Sequence, residues 1–226
     1  MSLWSGPLPS MPDGYHRGLE PRLMAPFVDA LFDAVPPRGR CLDLACGPGL
    51  VARQLPDDAV GVDGWDEMIA FARALSPARR WICADMEWLP FRDARFDAVY
   101  CSHGLLFAQD PEVAMAEARR VGRSYAALVW RNLTTSPAFG ALHRALLART
   151  GASPFEDSSM AGETVRRTVR FPSARDFLIA FVEGSSLNES VPRLPASTQQ
   201  AIVLDLERDL GLGEIAFPVE ATLIVR

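Results

Sequence analysis

The sequence predicts an α/β protein with a doubly wound, mostly parallel sheet and helices on both faces. Between residues 40 and 131, short apolar segments of strand length alternate with helical segments five times. The first apolar segment, Cys41-Leu42-Asp43-Leu44, leads into the glycine turn Gly47-Pro48-Gly49. A strand, a glycine turn and a helix in this order are typical of sheets that bind ligands beyond the carboxyl ends of their strands. We therefore expect the functional site at that edge.

Local signals place the elements of this first part. An apolar stripe over Pro21–Pro36 predicts a leading helix. Pro56 ends a short helix after the glycine turn, and Asp66-Glu67 suits the start of the next one. Asp110-Pro111 is typical of a helix start. The predicted strands are 40–45, 59–63, 80–84, 96–102 and 124–131, and the first two helices between them are 50–55 and 66–75.

The alternation ends after Arg131, where the remaining chain predicts a helical lid. Ser136-Pro137 predicts a capped helix, Ser173-x-x-Asp176 is a capping box for a second, and a third covers about 197–210. The polar segment 151–163 is predicted to be a loop.

Two further strands complete the predicted sheet. They cover 164–171 and 215–225, which gives seven strands in all. Pro218 lacks a backbone N–H, so it favours a position near a sheet edge or a bulge for the last strand.

Composition limits the compartment and the partners. The 226 residues suffice for one well-buried domain, and 28 acidic against 23 basic residues give a net charge of −5. Because no basic surplus is available to neutralise phosphates, we expect no nucleic-acid partner. No apolar run has the length of a membrane span, and the first residues do not resemble a signal peptide. A cytoplasmic location is predicted, whereas the oligomeric state is not.

The cysteines predict no metal site. Cys41, Cys46, Cys83 and Cys101 fall within or just after apolar segments and show no C-x-x-C spacing. We expect four free, buried thiols, which fits a reducing compartment.

Three motifs together describe one nucleoside site. The glycine turn allows close approach of backbone to a ligand. Asp63 ends the second apolar strand 20 residues after Asp43, the spacing of a carboxylate that holds ribose hydroxyls. Asp85, after the third strand, is suitably placed to accept from an exocyclic amine.

Other interpretations stay open at this point. Each motif alone fits a structural role: a tight turn, a helix-capping carboxylate or a solvated loop acid. The segment Gly47–Ala52 also fits the G-x-G-x-x-A pattern of dinucleotide-binding oxidoreductases. Three observations argue against an oxidoreductase: Asp43 lies near the end of the first strand, Asp85 is a second acid, and the remaining chain is short for a catalytic domain. A protein that binds the cofactor without turnover is a third possibility.

The motifs resemble those of a known family. The turn Asp43–Gly49, Asp63, and the segment Ala84–Phe91 ahead of Phe96-Asp97-Ala98-Val99 are similar to class I S-adenosylmethionine-dependent methyltransferases. Within that family, the chain resembles small-molecule enzymes of the ubiquinone and menaquinone type. The resemblance implies a Rossmann-like, seven-stranded fold and S-adenosylmethionine as the cofactor. It covers residues 10–131 well and the rest loosely.

The resemblance implies a role for each matching residue. Asp43 would lie under the glycine turn and fix its geometry, while Ala45, where a glycine is common, and Gly47 would pass close to the methionine part of the cofactor. Asp63 would accept hydrogen bonds from both ribose hydroxyls.

The adenine contacts follow in the same way. Gly64 would give room, Trp65 or Met68 would cover one face of the adenine, Asp85 would accept from its amine, and the N–H of Met86 would reach a ring nitrogen.

Further candidates lie after the fourth strand and in the N-terminal segment. The segment Cys101–His103 would lie under the sulfonium and face the acceptor, and His103 is the candidate general base by position. The N-terminal segment is expected to fold over the cofactor, where Tyr15 would contact it. His143 shares a predicted helix face with Phe139 and Leu147, which favours a partly buried structural residue.

The predicted function is methyl transfer from S-adenosylmethionine to the oxygen, nitrogen or carbon of a small-molecule acceptor. One domain would contain an N-terminal lid segment (1–20), a cofactor-binding core (21–131), a helical lid and acceptor region (132–215) and the final strand (216–226). Phe107, Trp130, Phe139 and Phe155 would line the acceptor pocket.

Overall fold

A computed structural model describes residues 2–4, 6–152, 155 and 160–226. Seven strands form one sheet. In chain order they are β1 Cys41–Leu44, β2 Val60–Asp63, β3 Arg80–Cys83, β4 Ala98–Ser102, β5 Tyr125–Arg131, β6 Glu163–Phe171 and β7 Ile215–Val225. The spatial order is β3-β2-β1-β4-β5-β7-β6.

Helices precede and connect the strands. The α-helices are α1 Met11–Gly14, α2 Val28–Ala34, α3 Asp66–Leu75, α4 Pro111–Val121, α5 Pro137–Thr150, α6 Ala174–Glu183 and α7 Ala196–Leu210. A π-helix covers Tyr15–Met24. Short 3₁₀ turns cover Ala25–Phe27, Ala52–Gln54, Leu105–Phe107, Leu133–Thr135, Ser186–Glu189 and Val191–Arg193.

The sheet is mostly parallel, as predicted. β1 pairs in parallel with β2 and β4, β2 with β3, and β4 with β5. β7 runs the other way, because Tyr125 and Arg226 exchange both backbone hydrogen bonds, the pattern of an antiparallel pair. The seven-stranded, doubly wound α/β fold is confirmed.

The last strand does not lie at the sheet edge, which was one of the two positions predicted from Pro218; the other, a bulge, stays a prediction. β7 lies inside the sheet between β5 and β6. Near Pro218, the side-chain amide of Asn132, one residue beyond β5, donates to the Glu220 carboxylate at 3.3 Å.

Contacts between Cα atoms divide the chain into two compact units. The first unit comprises Met1–Pro26, Arg131–Asp157 and Arg166–Glu220, and the second comprises Phe27–Trp130, Ser158–Val165 and Ala221–Arg226. The division into a single domain with four segments stays a prediction.

The second unit has an aliphatic core around the central strands. Leu42 and Leu44 on β1, Val99 on β4 and Ala118 on α4 are fully buried. Burial on both faces explains why these strands read as continuous apolar segments rather than as alternating ones.

The first unit has an aromatic core. Phe139 of α5 packs edge-on against Phe177 with ring centroids 5.3 Å apart, an arrangement that aromatic pairs prefer. The phenylalanines of this cluster are Phe139, Phe155, Phe171, Phe177, Phe181 and Phe217.

The N-terminal segment is more helical than predicted. Helical structure begins at Met11 and continues through the π-helix, with the Ala25 N–H bonded to the Glu20 carbonyl. The predicted helix over Pro21–Pro36 is therefore interrupted at the 3₁₀ turn, where Pro26 has no N–H to continue the pattern.

Two other boundaries differ from expectation. The predicted helix over 50–55 is only the 3₁₀ turn Ala52–Gln54, since it has little room between the glycine turn and Pro56. The Ser136 hydroxyl does not cap α5 but donates to the Pro218 carbonyl at 3.2 Å. The loop predicted over 151–163 falls largely outside the described residues.

The remaining helix starts are confirmed. Asp110 caps α4 by accepting from the Glu112 N–H at 2.9 Å, and the Ser173 hydroxyl accepts from the Asp176 N–H at 3.0 Å at the start of α6. Within the described part of the chain, no helix is long and apolar enough to cross a membrane.

Candidate functional site

The turn after β1 uses backbone conformations that most side chains avoid. The φ angle is +54° at Ala45, +52° at Gly47 and +90° at Gly49. Glycine adopts this region freely, whereas alanine is strained there. The Cys46 N–H donates to the Val62 carbonyl at 2.9 Å, which fixes the turn to β2.

The glycines near the turn serve different purposes. A Cβ added at Gly49 would lie 2.2 Å from the Trp81 ring, so Gly49 is needed for packing inside the protein. A Cβ at Gly47 would meet no atom within 4 Å, and one at Gly64 would meet only the Ala84 carbonyl oxygen at 3.8 Å. Gly47 and Gly64 therefore border open space that a ligand can occupy.

Asp43 lies beneath the turn. Its side chain is buried, and its Oδ2 accepts from the Ala52 N–H at 2.7 Å. This bond joins β1 to the 3₁₀ turn that follows the glycines. The carboxylate is thus placed to fix the backbone of the turn rather than to meet solvent.

Asp63, at the end of β2, joins the glycine turn to the start of α3. Its Oδ2 accepts from the Gly47 N–H at 2.8 Å and its Oδ1 from the Trp65 N–H at 2.9 Å. Burial raises the pKa of this carboxyl, while the two N–H donors act in the opposite direction. Each oxygen can accept another hydrogen bond, so the carboxylate can still take hydroxyl groups from a ligand.

Asp85 is exposed in the turn after β3. Its Oδ1 accepts from the Glu87 N–H at 2.8 Å, and its carbonyl accepts from the Trp88 N–H at 3.1 Å. The next residue, Met86, is half-buried against the core of the second unit. The Asp85 carboxylate is held in place and keeps its other oxygen free in the described structure.

A clamp on α4 holds this loop, and the sequence analysis missed it. The Arg120 guanidinium donates to the Phe91 carbonyl at 2.7 Å and to the Leu89 carbonyl at 3.1 Å. It also binds Glu117, which in turn accepts from the Leu89 N–H at 2.8 Å. The spacing of Glu117 and Arg120 on one helix face gave a signal only for a local ion pair.

The two candidates for covering an adenine differ in exposure. Trp65, ahead of α3, is 42% exposed, whereas Met68 is 7% exposed. A large exposed aromatic ring is available to a ligand, while Met68 contributes to the packing of α3. Trp65 is therefore the better placed of the pair.

Cys101 and His103 end β4 beside the turn. Cys101 is fully buried, and burial raises the pKa of its thiol to about 12, so the thiol stays protonated. A Cβ on Gly104 would lie 2.2 Å from the Cβ of Ala45, so the chain that leaves β4 contacts the glycine turn. His103 is 3% exposed, and burial lowers its pKa to about 3.

The prediction for the cysteines was correct in three cases of four. All four are free thiols, and Cys41, Cys46 and Cys101 are buried. Cys83 is exposed because it ends β3, the outermost strand of the sheet.

The predicted acceptor walls fall in different environments. Phe107 is 78% exposed, whereas Trp130 is buried against His103. Phe139 and Phe155 belong to the aromatic core of the first unit. Tyr15, in the π-helix, belongs to that unit as well. His143 is half-buried, but Leu147 on its predicted face is exposed.

The strand ends thus bring most of the predicted residues together. Asp63 bonds Gly47, Ala45 contacts Gly104, and the Ala84 N–H, just ahead of Asp85, bonds the Asp63 carbonyl at 3.0 Å. Residues 42–129, which contain these contacts, match the family described as "Methyltransferase domain". Residues 42–129 therefore resemble a methyltransferase domain.

Curated relatives of the methyltransferase domain have two kinds of name. A demethylmenaquinone methyltransferase of Beutenbergia cavernae is 36% identical over 104 residues, 45% of this chain and 43% of the relative. A malonyl-[acyl-carrier protein] O-methyltransferase of Enterobacter lignolyticus is 29% identical over 161 residues, 65% of this chain and 64% of the relative. The chain therefore spans about half to two thirds of the length of these relatives.

A solved structure confirms the fold. The YcgJ protein of Bacillus subtilis superposes with a TM-score of 0.58 at 17% sequence identity, over 88% of this chain and 96% of that one. At this identity the likeness concerns the fold alone.

The residues at the strand ends of the methyltransferase domain fit S-adenosylmethionine, the cofactor of this family. Gly47 leaves open space where a Cβ would otherwise project. Asp63 offers acceptor oxygens beside that space, and Trp65 offers an exposed ring close by in the chain. These are the group types that a methionine chain, a ribose and an adenine require.

Proposed function

We propose that the chain transfers a methyl group from S-adenosylmethionine to an oxygen, nitrogen or carbon atom of a small-molecule acceptor. The observation that carries the proposal is the hydrogen bond between the Asp63 carboxylate and the Gly47 N–H, beside open space. A ribose-binding acid and a glycine turn are thereby joined in one site at the carboxyl ends of the strands.

The main contribution of the protein is alignment. When bound, S-adenosylmethionine supplies a methyl group already activated by a positively charged sulfur. Asp43 and Asp63 would hold the glycine turn in the shape that positions this group. A protein base is optional for such a displacement, and His103 as general base stays a prediction.

The cofactor contacts are proposed residue by residue. Asp63 would bind the ribose hydroxyls, Asp85 the adenine amine and Trp65 one adenine face. The other proposed contacts are Asp43, Ala45, Gly47, Gly64, Met68, Met86, Cys101 and Tyr15. Asp43 and Met68 would act through the backbone that they support, because both are buried.

The acceptor is proposed at the level of class. The relatives' names include a quinone precursor and a malonyl group on a carrier protein, and both are small organic groups. We infer a small organic acceptor for this chain as well. A cytoplasmic location and the lack of a nucleic-acid partner stay predictions.

Calorimetric titration with S-adenosylhomocysteine, beside NADH under the same conditions, tests the proposal. We expect micromolar or tighter binding of S-adenosylhomocysteine alone. Binding of NADH alone would favour the oxidoreductase alternative. Cofactor binding without formation of S-adenosylhomocysteine in the presence of any acceptor would favour a binding protein without turnover.

A further inference from the structure

His103 has an unusual backbone conformation at a strand end. It follows β4, its N–H donates to the Leu128 carbonyl at 2.8 Å, and its φ angle is +62°. Residues other than glycine are uncommon in the left-handed region, histidine is one of the types enriched there, and such conformations are concentrated at functional sites. The conformation fixes the direction in which the imidazole leaves the strand.

The imidazole is enclosed by aromatic rings. It stacks on Trp130 with centroids 3.7 Å apart and an interplanar angle of 27°, and Phe27 approaches edge-on at 5.6 Å. Neither neighbour carries a charge that would favour the imidazolium form. Burial alone lowers the pKa of His103.

The two ring nitrogens differ in their bonding. Nδ1 lies 3.1 Å from the Ser102 hydroxyl, whereas Nε2 is buried without a partner among residues 2–4, 6–152, 155 and 160–226. Histidines that act as bases usually have a carboxylate on the second nitrogen, which stabilises the protonated ring. Here that position is taken by a neutral hydroxyl.

A buried nitrogen without a partner calls for an explanation, because native proteins rarely leave such groups unpaired. His103 is next to Gly104, whose backbone contacts Ala45 of the glycine turn. The unpaired nitrogen therefore belongs to a residue beside the proposed methyl donor. A ligand atom that enters there would complete its hydrogen bonding.

We propose that His103, a general-base candidate by position, instead binds the acceptor: its Nε2 hydrogen-bonds a polar atom of the methyl acceptor, and no described residue in contact with its ring acts as a base. The inference rests on the proposed function and narrows its acceptor. The reacting atom must carry an available lone pair before it binds, as a carboxylate oxygen or an uncharged amine nitrogen does. A phenol or alcohol of high pKa is excluded.

The transfer then balances without a proton relay. The acceptor lone pair forms the new bond to the methyl carbon, and the carbon–sulfur bond breaks with its electron pair left on sulfur as a neutral thioether. A carboxylate gives an ester and no proton is released. An amine gives a protonated product, which loses its proton to solvent.

Nuclear magnetic resonance of the full chain with ¹⁵N-labelled imidazoles tests this directly, because the protein has only three histidines. His103→Gln identifies the signals of His103. With S-adenosylhomocysteine bound, we expect His103 to stay neutral, in one tautomer, from pH 8 down to pH 5. Titration of His103 above pH 5 would overturn the inference and leave the proposed function intact. Lack of S-adenosylhomocysteine binding would instead refute the proposed function.

A pair of variants tests the contact itself. The side-chain amide introduced by His103→Gln can reach the position of Nε2. The shorter side chain introduced by His103→Asn tolerates the left-handed backbone but cannot reach that position. With benzoate, benzylamine and phenol as probes, we expect transfer to benzoate or benzylamine to fall at least tenfold in His103→Asn and less in His103→Gln. Two results would contradict the proposal: transfer to phenol that is faster than transfer to benzoate and benzylamine in the parent protein, or equal rates in His103→Asn and His103→Gln.

Discussion

At the scale of the residue, Asp63 has a structural role beside its proposed binding role. Its two oxygens already hold the N–H groups of Gly47 and Trp65, so the carboxylate shapes the site before any ligand arrives. The bond to the Trp65 N–H lies at the start of α3, and the bond to the Gly47 N–H extends the structural role of the carboxylate to the glycine turn. The same bonds that support the turn also aim the remaining lone pairs away from it.

Replacing Asp63 with Asn should weaken S-adenosylhomocysteine binding by tenfold or more. A neutral amide accepts more weakly than a carboxylate, and hydrogen bonds to a charged group contribute about 1.5–3 kcal/mol. Calorimetry measures the change, with Asp58→Asn, on an exposed loop, as the matched control. An affinity within twofold of the parent would rule out the ribose role.

The acidity of Asp63 predicts the pH dependence of binding. Burial raises its pKa, so the carboxylate is protonated at a pH above the ordinary carboxyl range and loses its best acceptor form there. We expect cofactor affinity to fall on the acid side in the parent protein. The fall in cofactor affinity at low pH should be smaller in Asp63→Asn. An equal fall in the parent and in Asp63→Asn would show that another group is responsible.

At the scale of the element, the glycine turn separates packing from binding. Gly49 faces the Trp81 ring, whereas Gly47 faces open space. Both have positive φ angles, so alanine is strained at either position. Only the substitution at Gly49 also creates a collision inside the protein.

Gly49→Ala should therefore destabilise the fold more than Gly47→Ala does. We expect a loss of at least ~2 kcal/mol for Gly49→Ala from strain and overpacking, and ~1 kcal/mol for Gly47→Ala from strain alone. Urea unfolding measures both. Gly47→Ala should lose more cofactor affinity per unit of lost stability, since its methyl group enters the open space. A larger loss of cofactor affinity per unit of lost stability in Gly49→Ala than in Gly47→Ala would mean that the ligand does not bind beside Gly47.

The clamp on α4 connects one helix to the loop that carries Asp85. Arg120→Ala removes its bonds to two loop carbonyls and should lower stability by about 1–2 kcal/mol, because the guanidinium is partly exposed. It should also weaken S-adenosylhomocysteine binding. Arg119→Ala, exposed on the same helix, is the control and should change neither quantity. Equal effects of the two variants would show that the clamp does not position the loop.

At the scale of the whole molecule, His103 ties stability to pH. Its pKa is about 3 in the folded state against an ordinary 6.5, so the unfolded chain takes up a proton first as the pH falls. Folding stability from this group is complete above pH 6.5 and declines between pH 6.5 and 3, by about 1.4 kcal/mol per pH unit.

The parent protein should accordingly lose about 2 kcal/mol more than His103→Gln between pH 7 and pH 5. Urea unfolding at both values measures the difference. His143→Gln, at a half-buried histidine, is the comparison and should behave like the parent. A parallel response of the parent and His103→Gln would mean that His103 is protonated within the fold.

The sequence predicted the parallel half of the sheet well because local signals agree with its tertiary structure there. Buried strands, capped helices and the glycine turn each have a short-range pattern, as Asp110 at the start of α4 illustrates. The interior position of β7 was missed, because where β5 ends relative to Pro218 depends on pairing between segments distant in sequence.

The candidate site was predicted less completely than the fold. Spacing suggested Asp63, and its position after the third strand suggested Asp85. The role of Asp43 came from the family resemblance. The bonds of Arg120 to the loop carbonyls had no sequence signal, because backbone acceptors leave no mark on residue identity. The enclosure of His103 depends on Phe27 and Trp130, which come from separate segments.

The exposed Cys83 offers a practical consequence. Its sulfur lies 3.8 Å from the Gly64 carbonyl, beside the residues proposed to hold the nucleoside, while the other three thiols are buried. A maleimide fluorophore should therefore label the unmodified protein at a single position next to the ligand. Its emission would report binding in real time, without any engineered cysteine.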